Sequence, residues 1–189
     1  MLSEFLVYLR LGFEHITDVG GLDHLLFLAV LTATDSRRPK RLIWLVTAFT
    51  AGHSLTLVLA TLQLVHVSPR PVELLIPVTI LATGVVALRN RGTPANARTQ
   101  YGLAAAFGLI HGLGFSAFLR AALGAEERIL LPLFSFNTGL EVGQIAVVLV
   151  LSAVALLLGR LLGVSERAWV LGVSLSAGLG ALAMLVQRF

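Results

Sequence analysis

Long apolar blocks of about twenty residues, separated by short basic or Pro/Gly-rich breaks, constrain this chain more than any other feature. A helix rises about 1.5 Å per residue, so about 20 residues cross the ~30 Å hydrocarbon core of a bilayer. Six blocks are legible, at residues 16–35, 42–64, 72–89, 101–123, 130–158 and 168–187. "DSRRPKR", "HVSPRP", "RNRGTPANAR" and "GAEER" close the first four, and Gly20-Gly21 interrupts the first. Only 13% of the 189 residues are charged, against about a quarter in a soluble domain, and 57% are hydrophobic. The chain is therefore expected to be all-α, a polytopic transmembrane helix bundle. The connections are short and no internal repeat is evident, which predicts a single membrane domain over residues 1–189.

Ahead of the first block, Leu2, Phe5, Leu6, Leu9, Phe13 and Ile16 recur at helical spacing, so residues 2–17 read as an amphipathic interfacial helix. The N-terminus places Glu4 before any base and lacks a compact apolar stretch with a cleavage site, so it does not read as a cleaved signal peptide. The basic residues sit in loops rather than on one face, which argues against nucleic acid as a partner and for a role in topology. Arg37, Arg38, Lys40, Arg41, Arg89, Arg91, Arg98, Arg160 and Arg167 fall on one side of the expected bilayer. Arg10, Arg70, Arg120, Arg128 and Arg188 fall on the other, two of them offset by Glu126 and Glu127. The positive-inside rule then puts both termini outside a bacterial inner (plasma) membrane.

Ionisable side chains inside a span cost several kcal/mol unless paired or hydrated, and so point to function. His53 falls mid-span in "FTAGHSLTL", with Thr50 one turn before it and Ser54 beside it; His111 falls mid-span in "AFGLIHGLGF". In "FSFNTGLEVGQ" Asn137, Glu141 and Gln144 share one helix face. Asp23 and His24 enter the first span, after Glu14, His15 and Asp18. By helical rise, His53, His111 and Glu141 lie about 15 Å below the outer surface, with Asn137, Asp23 and His24 shallower. Each alone has a structural explanation: a lone span histidine is as often an interhelical hydrogen-bond partner, and Asn137 and Gln144 are more often packing groups. His15 reads as a solvated interfacial residue, His66 as a loop residue, and Glu73 as a cap or the lip of a cavity. Together, at matched depth, they predict a shared metal site. The chain has no cysteine, so its ligands would be imidazole and carboxylate, which suit zinc, nickel, cobalt, copper or iron(II) better than calcium or magnesium. Thr50, Ser54, Asn137, Gln144 and Glu73 are candidates for holding those ligands in place. A metal-free proton relay uses the same residue types.

The stretches "GFEHITDVGGLDHLLFL" (12–28), "FTAGHSLTL" (49–57), "FGLIHGLGF" (107–115) and "FNTGLEVGQ" (136–144) resemble the second branch of the HupE/UreJ family of small bacterial membrane proteins. The resemblance implies a nickel or cobalt permease, or an accessory to nickel enzymes, with His15, Asp23, His24, His53, His111, Asn137 and Glu141 as its functional positions. Nickel/cobalt permeases of the wider class carry a histidine, a short spacer and Asp-His on one helix. Here seven residues, including Gly20 and Gly21, separate His15 from Asp23. In the third span Pro77 is expected to kink the helix.

Three functions follow. A divalent-metal permease would gather its ion at His15 and Glu73 and hold it at Asp23, His24, His53, His111 and Glu141. Against it, the inner halves of the spans, "LVLVLSAVALLLG" and "ILATGVVAL", offer no evident onward ligands. An intramembrane zinc-dependent hydrolase would use the same ligands, with Glu141 or Asp23 as general base, on a lipid-like acyl substrate. A metal-binding accessory subunit is the third.

Overall fold

The computed structural model describes residues 2–35, 38–90, 96–123 and 129–188. Arg37, Arg91, Glu126, Glu127 and Arg128, which enter the charge asymmetry, lie outside the described residues. Seven α-helices account for nearly all of it: α1 (Leu2–Thr17), α2 (Leu22–Asp35), α3 (Pro39–Thr61), α4 (Pro69–Arg89), α5 (Ala97–Leu123), α6 (Leu130–Leu161) and α7 (Glu166–Arg188). A single 3-10 turn, Val19–Gly21, separates α1 from α2, and the described residues contain no strand. Five helices, α3 to α7, are each long and apolar enough to cross a membrane. Helices α1 and α2, bent by 68° at their junction, pass the same test as a pair and make a sixth crossing if taken as one broken span. The chain is a multi-pass membrane protein.

Start signals explain several boundaries. Pro39 and Pro69 open α3 and α4 in the first turn, where a missing N–H is harmless. Pro77 lies inside α4, which runs unbroken to Arg89. Proline removes the N–H that would bond the carbonyl four residues back, here Glu73, and the Arg188 guanidinium of α7 donates to that carbonyl instead. The residue expected to disturb α4 thereby supplies an anchor for α7.

Two close helix pairs set the geometry. In α3 and α5 the backbones touch: a Cβ on Gly52 would collide with the Ala105 carbonyl oxygen, and one on Gly108 with that of Phe49. Helices α1 and α6 are packed the same way, with Gly12 against the Phe136 carbonyl and Gly139 against that of Leu9. Small residues at a crossing allow the contact that drives helix association in lipid, where there is no hydrophobic force between helices. Helix α1 is thus the amphipathic helix expected over residues 2–17, but its small-residue face is laid along α6, burying Tyr8, Gly12 and Ile16, while Leu2 and Leu6 remain exposed.

Candidate metal centre

The imidazoles of His15, His24, His53 and His111 converge from α1, α2, α3 and α5. Ring centroids lie 4.6 Å apart for His15 and His24, 5.0 Å for His24 and His111, 6.1 Å for His15 and His53, and 6.2 Å for His24 and His53. Two sets each offer ligand atoms within 4.8 Å of one another: His15, His24 and His53, and Asp23, His24 and His111. His24, His53 and His111 are buried, and His15 and Asp23 half-buried.

Local hydrogen bonds decide which nitrogen of two of these rings faces inward. Asp23, in the first turn of α2 where a carboxylate suits the helix dipole, accepts from the His24 backbone N–H and lies 2.9 Å from His24 Nδ1. A carboxylate accepts only, so Nδ1 carries the proton and Nε2 presents its lone pair. Thr79 donates its one hydroxyl proton to the Ile76 carbonyl, 2.7 Å away. Its 3.1 Å contact with His111 Nε2 must then be donated by the ring, leaving His111 Nδ1 bare. His15 Nε2, His24 Nε2, His111 Nδ1 and both nitrogens of His53 are buried with no protein hydrogen-bond partner. An unpaired buried polar atom costs about 1–3 kcal/mol, and a cation would relieve that cost at one lone pair per ring, at most four of these five atoms. The donor set, imidazole with one carboxylate and no sulfur, fits a divalent transition metal.

A cavity of about 280 Å³ leads to the cluster, lined among others by His15, Asp23, His24, His111, Glu73 and Arg188. It reaches the surface at Glu73, which is exposed near the start of α4. On the far side of the cluster Phe27 and Phe49 close the way, with ring centroids 4.9 Å apart and each ring within 6 Å of that of His111. Phe27 also lines a second cavity, of about 110 Å³, between α2, α4 and α5, together with Thr34, Thr83, Asn90 and Gln100. At that end the Arg41 guanidinium donates to Gln100 and lies 3.5 Å from the buried Asp35 carboxylate.

Of the other expected site residues, Glu141 belongs to neither ligand set. Its Oε1 accepts from the Thr47 hydroxyl at 2.7 Å, in a row where Thr50 donates to Gln144 and Ser54 to Asn137, each at 2.6 Å. The shared face of Asn137, Glu141 and Gln144 is real, but it meets the hydroxyls of α3 rather than the imidazoles. Thr79, Phe27 and Arg188 were not expected at the site. Phe27 lies one turn after His24 in "LDHLLF", a position on its inward face, and Gly12-x-x-His15 and Gly108-x-x-His111 repeat one spacing that sets a glycine one turn before a histidine.

Fold and cluster together define a class: a multi-pass helical membrane protein with a histidine-rich pocket, inside the bundle, that could hold a metal ion. The family model described as HupE / UreJ protein matches residues 1–188. The chain belongs to the HupE/UreJ family. No curated protein and no solved structure matches it.

Proposed function

We propose that the protein is a permease for a divalent transition-metal cation, nickel or cobalt, in a bacterial inner membrane, with both termini outside. One observation carries transport over mere binding. The imidazole cluster lies between two cavities that open toward opposite ends of the bundle, and the Phe27 ring lines one while contacting a histidine of the other. The second cavity is mostly apolar; among its polar side chains the Thr34 and Thr83 hydroxyls donate to the carbonyls of Leu31 and Thr79, and the Gln100 oxygen accepts from Arg41. On this reading the ion would leave through that cavity once past Phe27. The excess of basic residues beside the second cavity's end, Arg38, Lys40, Arg41, Arg89 and Arg98, supports its being cytoplasmic.

The cargo ion would be drawn in past Glu73 and bound by neutral imidazoles, with Asp23 as the adjacent negative charge. Hydrolysis is less well supported, because Glu141, one of the two carboxylates considered as base, meets Thr47 and belongs to neither ligand set. The test is flux in proteoliposomes holding purified protein and a metal-sensitive dye. Nickel or cobalt entry is expected with the unaltered chain and its loss with His24→Ala; tight binding without flux would overturn the permease reading.

A further inference from the structure

Resting on the permease reading, we propose that the site takes its cation together with a small organic dicarboxylate. The imidazoles bind the metal, and Arg188, which lines the same cavity, binds the carboxylate end that the metal leaves free.

The cavity carries both halves of such a site. His15, His24 and His111 line it, and so does Arg188, half-buried at the end of α7. A fixed guanidinium beside the path of a divalent cation repels it, and a neutral donor would suffice to anchor α7 to the Glu73 carbonyl. The positive charge therefore calls for an anion. The Glu73 carbonyl takes one of the guanidinium's five N–H donors, and the rest of the planar fork matches the two oxygens of a carboxylate. The acids on the lining do not fill that role, because Asp23 is committed to His24 and Glu73 meets Arg188 through its backbone.

The metal's requirements leave a place for the same anion. Each neutral ring offers one lone pair, so four rings make at most four bonds, whereas nickel and cobalt take up to about six ligands. His53 is wholly buried and lies off the cavity lining, while the other three rings are on it, so the open side of the ion is the cavity's. Inside the mouth, with the rings neutral, a divalent ion, Asp23 and Arg188 sum to two positive charges. A dicarboxylate cancels them. Ile76, Phe115 and Met184 also line the cavity, and their apolar surface suits a carbon skeleton better than the water shell of a bare ion. At about 280 Å³, against about 30 Å³ for one water, the space holds an ion with a ligand of several heavy atoms.

The test uses nickel with malonate as the probe. Equilibrium dialysis of the purified chain with carbon-14 malonate should show one malonate bound per nickel ion and none without nickel. At equal free nickel, malonate should tighten nickel binding by more than about tenfold, as a pair of charge-assisted hydrogen bonds provides, and should speed nickel entry into proteoliposomes. In Arg188→Gln, whose amide can still donate to the Glu73 carbonyl, malonate should no longer tighten nickel binding, and Arg188→Lys should restore part of the effect. Nickel that binds and crosses without retaining malonate, or a malonate effect that persists in Arg188→Gln, would overturn the proposal and leave the permease reading standing. Retention of malonate by the unaltered chain decides the point even if a variant fails to fold. Nickel-dependent malonate binding with no flux under either condition would refute the permease reading and leave the paired site intact.

Discussion

Replacing Thr79 by valine removes one oxygen from a buried side chain of nearly the same shape, and its effect on metal binding can be worked from two hydrogen bonds. Thr79 gives its proton to Ile76 and accepts from His111 Nε2–H, which holds the His111 ring with Nδ1 bare. Valine leaves the ring free to take the other tautomer, in which Nδ1 carries hydrogen and cannot bind a cation. The hydrogen bond itself contributes about 0.5–1.5 kcal/mol, and loss of such a partner behind a ligating histidine costs roughly 10- to 100-fold in metal affinity. At 1.4 kcal/mol per tenfold, the latter is about 1.4–2.8 kcal/mol. The measurement is a nickel titration against a coloured chelator in the His53→Gln background, where the Asp23, His24 and His111 set is intact. Thr79→Ser should bind as Thr79 does. Nitrogen-15 spectra of histidine-labelled protein should show His111 protonated at Nε2 before the change and a mixture after it. Equal affinity for the threonine and valine forms, or a starting ring protonated at Nδ1, would refute the reasoning.

Phe27→Ala should join the two cavities. Metal flux is then expected to rise and to discriminate less between nickel and magnesium, with about 3–5 kcal/mol of packing lost, read as a lower unfolding temperature in detergent; unchanged flux would show that the ring is not the barrier. Gly108→Ala drives a methyl into the Phe49 carbonyl and must part α3 from α5, at about 1–3 kcal/mol, so metal affinity should fall although no ligand is touched. In Glu141→Gln the amide oxygen can still accept from Thr47, and metal affinity in dialysis is expected to stay within about twofold; a loss as large as that of His24→Gln would place the carboxylate among the ligands.

The helices were legible because length and apolarity alone define a span: the expected 101–123 and 130–158 appear as Ala97–Leu123 and Leu130–Leu161, with boundaries within a turn. The convergence of His24, His53 and His111 was legible because helical rise fixes depth. What rise does not fix is rotation. Glu141 bonds Thr47, six residues before His53 on α3, whereas Asn137 meets Ser54 beside it, and spacing along α6 says which residues share a face but not which part of a neighbouring helix that face meets. Thr79 was hidden for a similar reason. A threonine in an apolar run bonds the carbonyl one turn back, as this one does to Ile76, and its second contact exists only through the packing of α4 on α5. The second cavity was missed because its few polar side chains are spread over α2, α4 with its C-cap Asn90, and α5, and no one span looks polar.

His15 shows most sharply what the chain gains from the break between α1 and α2. On one continuous helix, positions nine residues apart are separated by about 13 Å of rise and, at 3.6 residues per turn, point to opposite faces. His15 and His24 could not then share an ion, and the short-spacer arrangement of the wider permease class would be the natural solution. In this chain the Val19–Gly21 turn and the 68° bend bring those rings to 4.6 Å, from opposite sides of the break. The long spacer is therefore no obstacle to a site; the bend does the work that close spacing does elsewhere. It also divides the ligands between two helices. His15 lies on α1, which is packed on α6 through Gly12 and Gly139, whereas Asp23 and His24 lie on α2, which packs on α7, α4 and α6. A small change in the angle at the break alters the distance from His15 to His24 while leaving the Asp23–His24 pair intact.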